Sequence, residues 1–279
     1  MASSVLFDTP GPKAVARQRL YTVIASVAIL GALAYAIYRL ADAGQFAYAL
    51  WEPFLTPRYI EAILRAWGDT LSMAALSVLG ALVFGVVFGV GKLSDHTVVR
   101  RSAWLVVEFF RAVPVIMLMI FAFYAIFDGL SISRGAYWSV VLALTVYNGA
   151  VLAEVFRAGI NALPRGQSEA AYAIGMRKTQ VMQIILLPQA VKIMIPAIIS
   201  QMVVALKDTS LILIVFGIGL TKIAKQLPLS FNNTVPTTLV IAALYIITNL
   251  ALTAVANVAQ KRFVGEKEML QVGQTGSTV

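Results

Sequence analysis

Six stretches of about 20 consecutive apolar residues dictate what this chain can become. A helix rises about 1.5 Å per residue, so each stretch matches the roughly 30 Å hydrocarbon core of a bilayer. They lie at residues 20–40, 70–91, 104–127, 136–153, 184–206 and 237–258. The expected fold class is an all-α integral membrane protein with six transmembrane helices. The run 210–220 is apolar too, but its eleven residues reach only about 17 Å. It reads as a partial helix or a membrane-depth segment packed on protein.

Composition removes most other classes. Of the 279 residues, 59% are hydrophobic and 13% charged, against about 45–50% and about 25% for a soluble domain. A water-soluble globule and a disordered chain are both excluded. There is no cysteine and His96 is the single histidine, so thiolate chemistry and metal sites built on these ligands are not expected. No Ser–His–Asp arrangement can be argued from one histidine, which makes an enzyme the least expected class. The net charge is +9, yet the basic residues cluster at the ends of apolar runs instead of forming one stripe, so no nucleic-acid partner is expected. Membrane lipid is.

Orientation follows from loop lysines and arginines. With the N-terminus inside, thirteen fall on the cytoplasmic side and six on the other. A multi-pass protein of the cell membrane with both termini cytoplasmic is expected. Lys13, Arg17 and Arg19 precede the first run, as in a secretory signal. That run, at about 20 residues, exceeds the 7–15 of a cleaved signal and reads as a retained anchor.

Spacing divides the chain into a cytoplasmic segment 1–19, an extra helix 20–40, an external linker 41–69, a core 70–265 containing a cytoplasmic loop at about 157–183, and a cytoplasmic tail 266–279. No internal repeat or low-complexity segment stands out.

Unusual residues inside the spans are the candidate sites. Ser77, Ala81, Gly85 and Gly89 recur four apart, which places small residues on one helix face, either for close helix approach or as ordinary membrane-helix composition. The same span ends GVVFGVGKL, whose spacing fails the phosphate-loop pattern. Glu108 and Arg111 lie three apart just before Pro114. They form an intrahelical pair, or Arg111 and the Pro114 kink line a polar route. Asn148 is a candidate for a substrate hydrogen bond or a helix–helix contact. Pro188 and Pro196 flank Lys192, which suits a bent, charged translocation wall or a lysine reaching to headgroups. Lys207 and Asp208 interrupt the apolar pattern, either as a broken helix presenting polar groups to a substrate or with Asp208 as a helix cap.

The most informative segment is the loop between the fourth and fifth spans. Pro164 can start a helix and Gly175 can end it, giving a docking element for a soluble partner or a membrane-surface helix. Glu169-Ala170-Ala171, three residues, Gly175, nine residues, Ile185, one residue and Leu187-Pro188 match the coupling-loop signature of bacterial ABC importer permeases. AEVFRAGI from Ala153, PRGQSEAA from Pro164, ILLPQA from Ile185 and KDTSL from Lys207 resemble the polar amino acid branch of that family, over residues 70–265. Met117 and Met119 depart from a stretch that is often more polar there. The extra first helix and the opening SVLFDTPGPKAVARQR resemble the larger permease subunit of actinobacterial glutamate importers.

The resemblance implies a five-helix type I importer core plus one extra N-terminal helix. It implies that Pro164, Gly166, Glu169, Ala170, Ala171 and Gly175 dock a cytoplasmic ABC ATPase dimer, and that this chain holds no cofactor, ATP and Mg belonging to that partner. It also implies a second permease subunit, expected as a heterodimer, an extracellular solute-binding protein and a polar amino acid substrate, glutamate foremost. The translocation path would draw on Arg111, Pro114, Asn148, Lys192, Lys207 and Asp208. An ion-coupled secondary transporter is the alternative; it calls for buried carboxylates near the bilayer centre, and the first, second and sixth spans carry none. A non-transporting anchoring subunit is the other.

Overall fold

The computed structural model describes residues 12–214 and 216–264. The expected tail 266–279 and most of the segment 1–19 lie outside them. The chain divides into two units at Leu55 and Thr56. In the first, α1 (Pro12–Asp42) is followed by a short α2 (Tyr48–Trp51) and a single 3-10 turn, Glu52–Phe54. Leu20, Ile24, Val27 and Leu30 of α1 are all exposed. A helix apolar on every side and unburied by protein belongs in lipid.

The second unit is helical throughout, with no strand among the described residues. It comprises α3 (Pro57–Lys92), α4 (Thr97–Ala112), α5 (Val115–Phe121), α6 (Ile132–Asn161), α7 (Arg165–Ala173), α8 (Lys178–Gln180), α9 (Leu187–Asp208), α10 (Leu220–Phe231) and α11 (Thr234–Val264). Wide π turns occupy Ala122–Ile126 and Val181–Leu186, and a 3-10 segment occupies Thr209–Ile214. Among the described residues of both units, five helices, α1 included, are long and apolar enough to cross a membrane, and the α4–α5 pair makes a sixth if taken as one broken span.

Two boundaries differ from the sequence expectation. Residues 57–69, assigned to a linker, are the first turns of α3. Pro57 stands at the start of the helix, where its missing N–H costs nothing, and Glu61 meets Arg65 at 2.5 Å one turn later. The span 104–127 is not straight. Val113 and Pro114 interrupt it and α4 meets the following helix at 98°, because proline can neither donate to the ladder nor allow the preceding residue a helical backbone. Of the run 210–220, residues 210–214 belong to the 3-10 segment, and Gly217 and Gly219 take positive φ in the turn before α10, short of a crossing helix as expected.

The centre of the unit is α3 against α6. Lipid offers no hydrophobic drive between helices, so backbone approach and packing must hold the pair. Ser77, Ala81, Gly85 and Gly89 are all buried, which resolves the small-residue stripe as a packing face. A Cβ on Gly85 would lie 2.8 Å from Leu152 Cβ, one on Gly89 2.9 Å from Phe156 Cβ, and one on Gly149 2.7 Å from Phe84 Cβ. Nothing larger than hydrogen fits without displacement. Toward α5 the core continues through Met73, Met119, Val140, Leu144 and Ile212. Gly219, at φ +55, brings the turn so close to α3 that an added Cβ would collide with Thr70 Oγ1. There Leu220 N–H donates to Thr70 Oγ1 at 3.0 Å.

Candidate functional site

Charges that the sequence scatters over three helices converge at one end of the α3–α6 pair. Lys92, at the last turn of α3, keeps only 5% of its side chain exposed and contacts the carboxylates of both Glu154 on α6 and Glu108 on α4, the latter at 3.5 Å. Arg157 donates to Glu154 at 2.9 Å and Arg111 to Glu108 at 3.1 Å. A buried ammonium is tolerable only when paired in this way. The expected Glu108–Arg111 pair is therefore one edge of a five-residue network. The local sequence does not mark Lys92 as a buried cation, because its partners lie 16 and 62 residues away.

The break at Pro114 opens a hollow of about 610 Å³ lined by Phe109, Phe110, Val113, Met117 and Phe121 among others. Its lining is apolar, and desolvating an ionic amino acid there without hydrogen-bonding partners is costly. Arg111 turns away from this hollow to Glu108, as in the intrahelical pair. Asn148 is fully buried between α3, α6 and α9; its amide donates to Leu144 O at 3.0 Å. The void beside it, about 10 Å³, admits one water at most. Lys192 is exposed on α9, with no ion pair within 4 Å among the described residues.

Lys207 stands differently. With Ser210, Tyr245 and Asn249 it borders a hollow of about 500 Å³ between the end of α9 and the middle of α11, within the range of about 300–1,000 Å³ usual for small-molecule pockets. Asn249 Nδ2 donates to Tyr245 O at 2.7 Å, while its Oδ1 is buried without a partner. Tyr245 OH shares a hydrogen bond with Thr209 Oγ1 at 3.3 Å. Asp208, the last residue of α9, is half-buried and caps nothing. The hydroxyls of Thr209 and Ser210 satisfy the helix-end carbonyls of Leu206 and Lys207 at 2.7 Å each. Tyr245 and Asn249 escaped sequence reading, although their i, i+4 spacing in an apolar helix signals one polar face.

The loop between α6 and α9 folds as α7, capped at Pro164 and stopped by Gly175 at φ +83. Pro164, Gly166, Glu169, Ala170 and Gly175 are exposed, and Ala171 alone of the six named residues is buried. Tyr172 and Ile174 stand 48% and 79% exposed at its end. Two ties hold the segment to the bundle. Gln189 Nε2 on α9 donates to Gln167 Oε1 at 2.8 Å. Lys178 donates to Leu93 O at 3.1 Å and to Asp95 at 2.5 Å in the α3–α4 loop. The Lys178 hydrogen bond and charge hold the Asp95 carboxyl below the usual carboxylate range. Among the described residues no cluster of acidic or histidine side chains suits a metal ion.

Residues 81–265 match the family described as binding-protein-dependent transport system inner membrane component. The chain belongs to that family. Within it, the glutamate transport system permease protein GluD of Corynebacterium glutamicum is 41% identical over 221 residues, covering 78% of this chain and 81% of that protein. The arginine transport system permease protein ArtQ of Bacillus subtilis is 27% identical over 207 residues, covering 73% and 93%. A chain from the crystal structure of an amino acid ABC transporter with histidines superposes with a TM-score of 0.67 at 24% identity, over 74% of this chain and 95% of that one, and so shares the fold. As a family member the chain is an importer permease subunit, a transport component embedded in the membrane by several helices. Membership sets aside both the ion-coupled carrier and the anchoring subunit.

Proposed function

We propose that this permease subunit moves a polar amino acid, glutamate, through the membrane by alternating access driven by a separate ATPase. The carrying observation is the exposed α7 between two spans, ending in unpartnered Tyr172 and Ile174 beside Gly175 and tied to both α9 and the α3–α4 loop. An apolar tip on a polar loop suits a groove in a soluble partner. Both termini and α7 then face the cytoplasm, with Pro164, Gly166, Glu169, Ala170 and Gly175 on the docking surface and Ala171 anchoring it. The partners are an ABC ATPase dimer carrying ATP and Mg, a second and different permease subunit, and an extracellular solute-binding protein.

Glutamate is supported by the 41% identity with GluD over most of both chains, and by the hollow between α9 and α11. There the Lys207 ammonium can take a carboxylate, and Ser210, Tyr245 and Asn249 add polar groups to the same hollow. Of the path residues expected from sequence, Lys207 borders this hollow. Directionality requires nucleotide to favour one permease conformation by a few kcal/mol, transmitted through α7.

The test is uptake by the assembled transporter in vesicles. Gly175→Asp places charge and a strained φ at the docking turn while no neighbour within 4 Å obstructs it; the expected result is normal insertion with ATPase uncoupled from uptake. Normal uptake in this variant refutes the docking role. In the same assay labelled glutamate should enter and labelled arginine should not. The reverse result keeps the transporter and overturns its substrate.

A further inference from the structure

The ion-pair network floors a second polar hollow, about 380 Å³, that transport does not explain. Its walls carry Lys92, Arg100, Arg101 and Arg157 against Glu108 and Glu154, so positive charge is in excess. Both carboxylates are already engaged by Lys92, Arg111 and Arg157. Among the described residues Arg100 donates to one backbone carbonyl, Ser94 O, at 3.1 Å and makes no ion pair within 4 Å, acting on Asp95 only at longer range, and Arg101 makes no ion pair within 4 Å either. Two guanidinium groups therefore face the hollow with capacity for an oxyanion.

Helical spacing says where that oxyanion comes from. On α4, Ala103 and Val107 are buried against the bundle. Arg100, Arg101, Trp104 and Glu108 follow on the next face, and Val98, Leu105 and Phe109, all exposed, make the face after that. A basic stripe holding a half-exposed tryptophan, set beside an exposed apolar stripe, is the arrangement of an interfacial helix with room for a headgroup and its acyl chains. Free phosphate would need the first stripe but not the second.

We infer that the hollow between α4 and the Lys92–Glu154 pair binds the phosphate of an anionic phospholipid, with Arg100 and Arg101 as its ligands and Trp104 lying along the lipid. This site is independent of the transported solute and of the α7 docking role. It also differs from the α9–α11 hollow, which has no exposed arginine.

The test uses the assembled transporter in nanodiscs, reading the tryptophan fluorescence that Trp104→Phe removes. Brominated phosphatidylglycerol should occupy the site and quench that component with about 25-fold selectivity over brominated phosphatidylcholine, about five-fold from each of the two arginines. Each arginine near a membrane surface contributes about a five-fold preference for anionic lipid. Arg101→Gln, at an exposed position, should lower the selectivity by about that factor, Arg100→Gln with Arg101→Gln should abolish it, and the double lysine variant should retain most of it. Equal quenching by the two lipids, or undiminished selectivity in the double glutamine variant, overturns the site. Complete reversal of the phosphatidylglycerol effect by millimolar inorganic phosphate at constant ionic strength assigns the hollow to free phosphate and overturns the lipid.

Discussion

The α3–α6 pair and the α9–α11 pair are built on opposite terms. Between α3 and α6 the backbones touch through Gly85, Gly89 and Gly149, and every added atom collides. Between the end of α9 and α11 lies a hollow of about 500 Å³ bordered by Lys207, Ser210, Tyr245 and Asn249. Close packing has one solution and resists rearrangement, whereas a loose polar seam can be remade around a guest. The first pair is the tighter joint, and the second leaves room for a guest.

That contrast predicts different failures on the two sides. Glu154→Ala should do the most damage, because it leaves Lys92 buried with only Glu108 at 3.5 Å. A loss approaching 3 kcal/mol is expected, at the low end for a broken buried pair, read as a lowered unfolding temperature in detergent. Next comes Gly85→Val, which over-packs the contact with Leu152 and should cost about 1–3 kcal/mol by the same measurement. If either substitution leaves thermal unfolding unchanged while uptake falls, the scaffold assignment of α3–α6 is wrong. Asn249→Leu should instead shift stability by less than about 1 kcal/mol, since the Nδ2 hydrogen bond to Tyr245 O that it removes is offset by removal of a buried oxygen without a partner, yet reduce glutamate uptake at least about ten-fold if the amide meets substrate. A stability loss without a transport defect would merge the two regions into one.

The smallest effect is expected at Asp95. Its carboxyl, held low by Lys178, is depressed in the folded state, so its contribution is present above the unfolded pKa and lost as pH falls through the lower folded value. Asp95→Asn should therefore speed hydrogen exchange around Lys178 relative to wild type by the same ratio throughout about pH 5–8. A ratio that changes within that window would remove the ion pair from the tether.

How much of this was legible in the sequence depends on the reach of each interaction. The crossing helices and α7 rest on local signals: apolar length, Pro164 ahead of the helix, Gly175 behind it. The start of α3 was legible as well, since Pro57 and the Glu61–Arg65 spacing announce a helix, but charged residues there lay outside the apolar window. The bend at Pro114 was legible as a break, and its 98° was not, because packing on α6 sets the angle. Lys92 illustrates the limit. Nothing within a turn of it marks a buried cation, and its partners come from two other helices. The seam of Tyr245 and Asn249 was half legible, as a polar face whose counterpart on α9 only the fold supplies.

The wide turn at Val181–Leu186 acts on all of α9 beyond it. It carries one residue more than an ordinary helical turn, and absorbing that surplus would rotate the downstream helix by about 100°. Such a twist would sweep the Lys207 ammonium off the seam and bring a neighbouring side chain into its place. Angular phase, set at the end of α9 adjoining α7, thus decides which chemistry the far end presents.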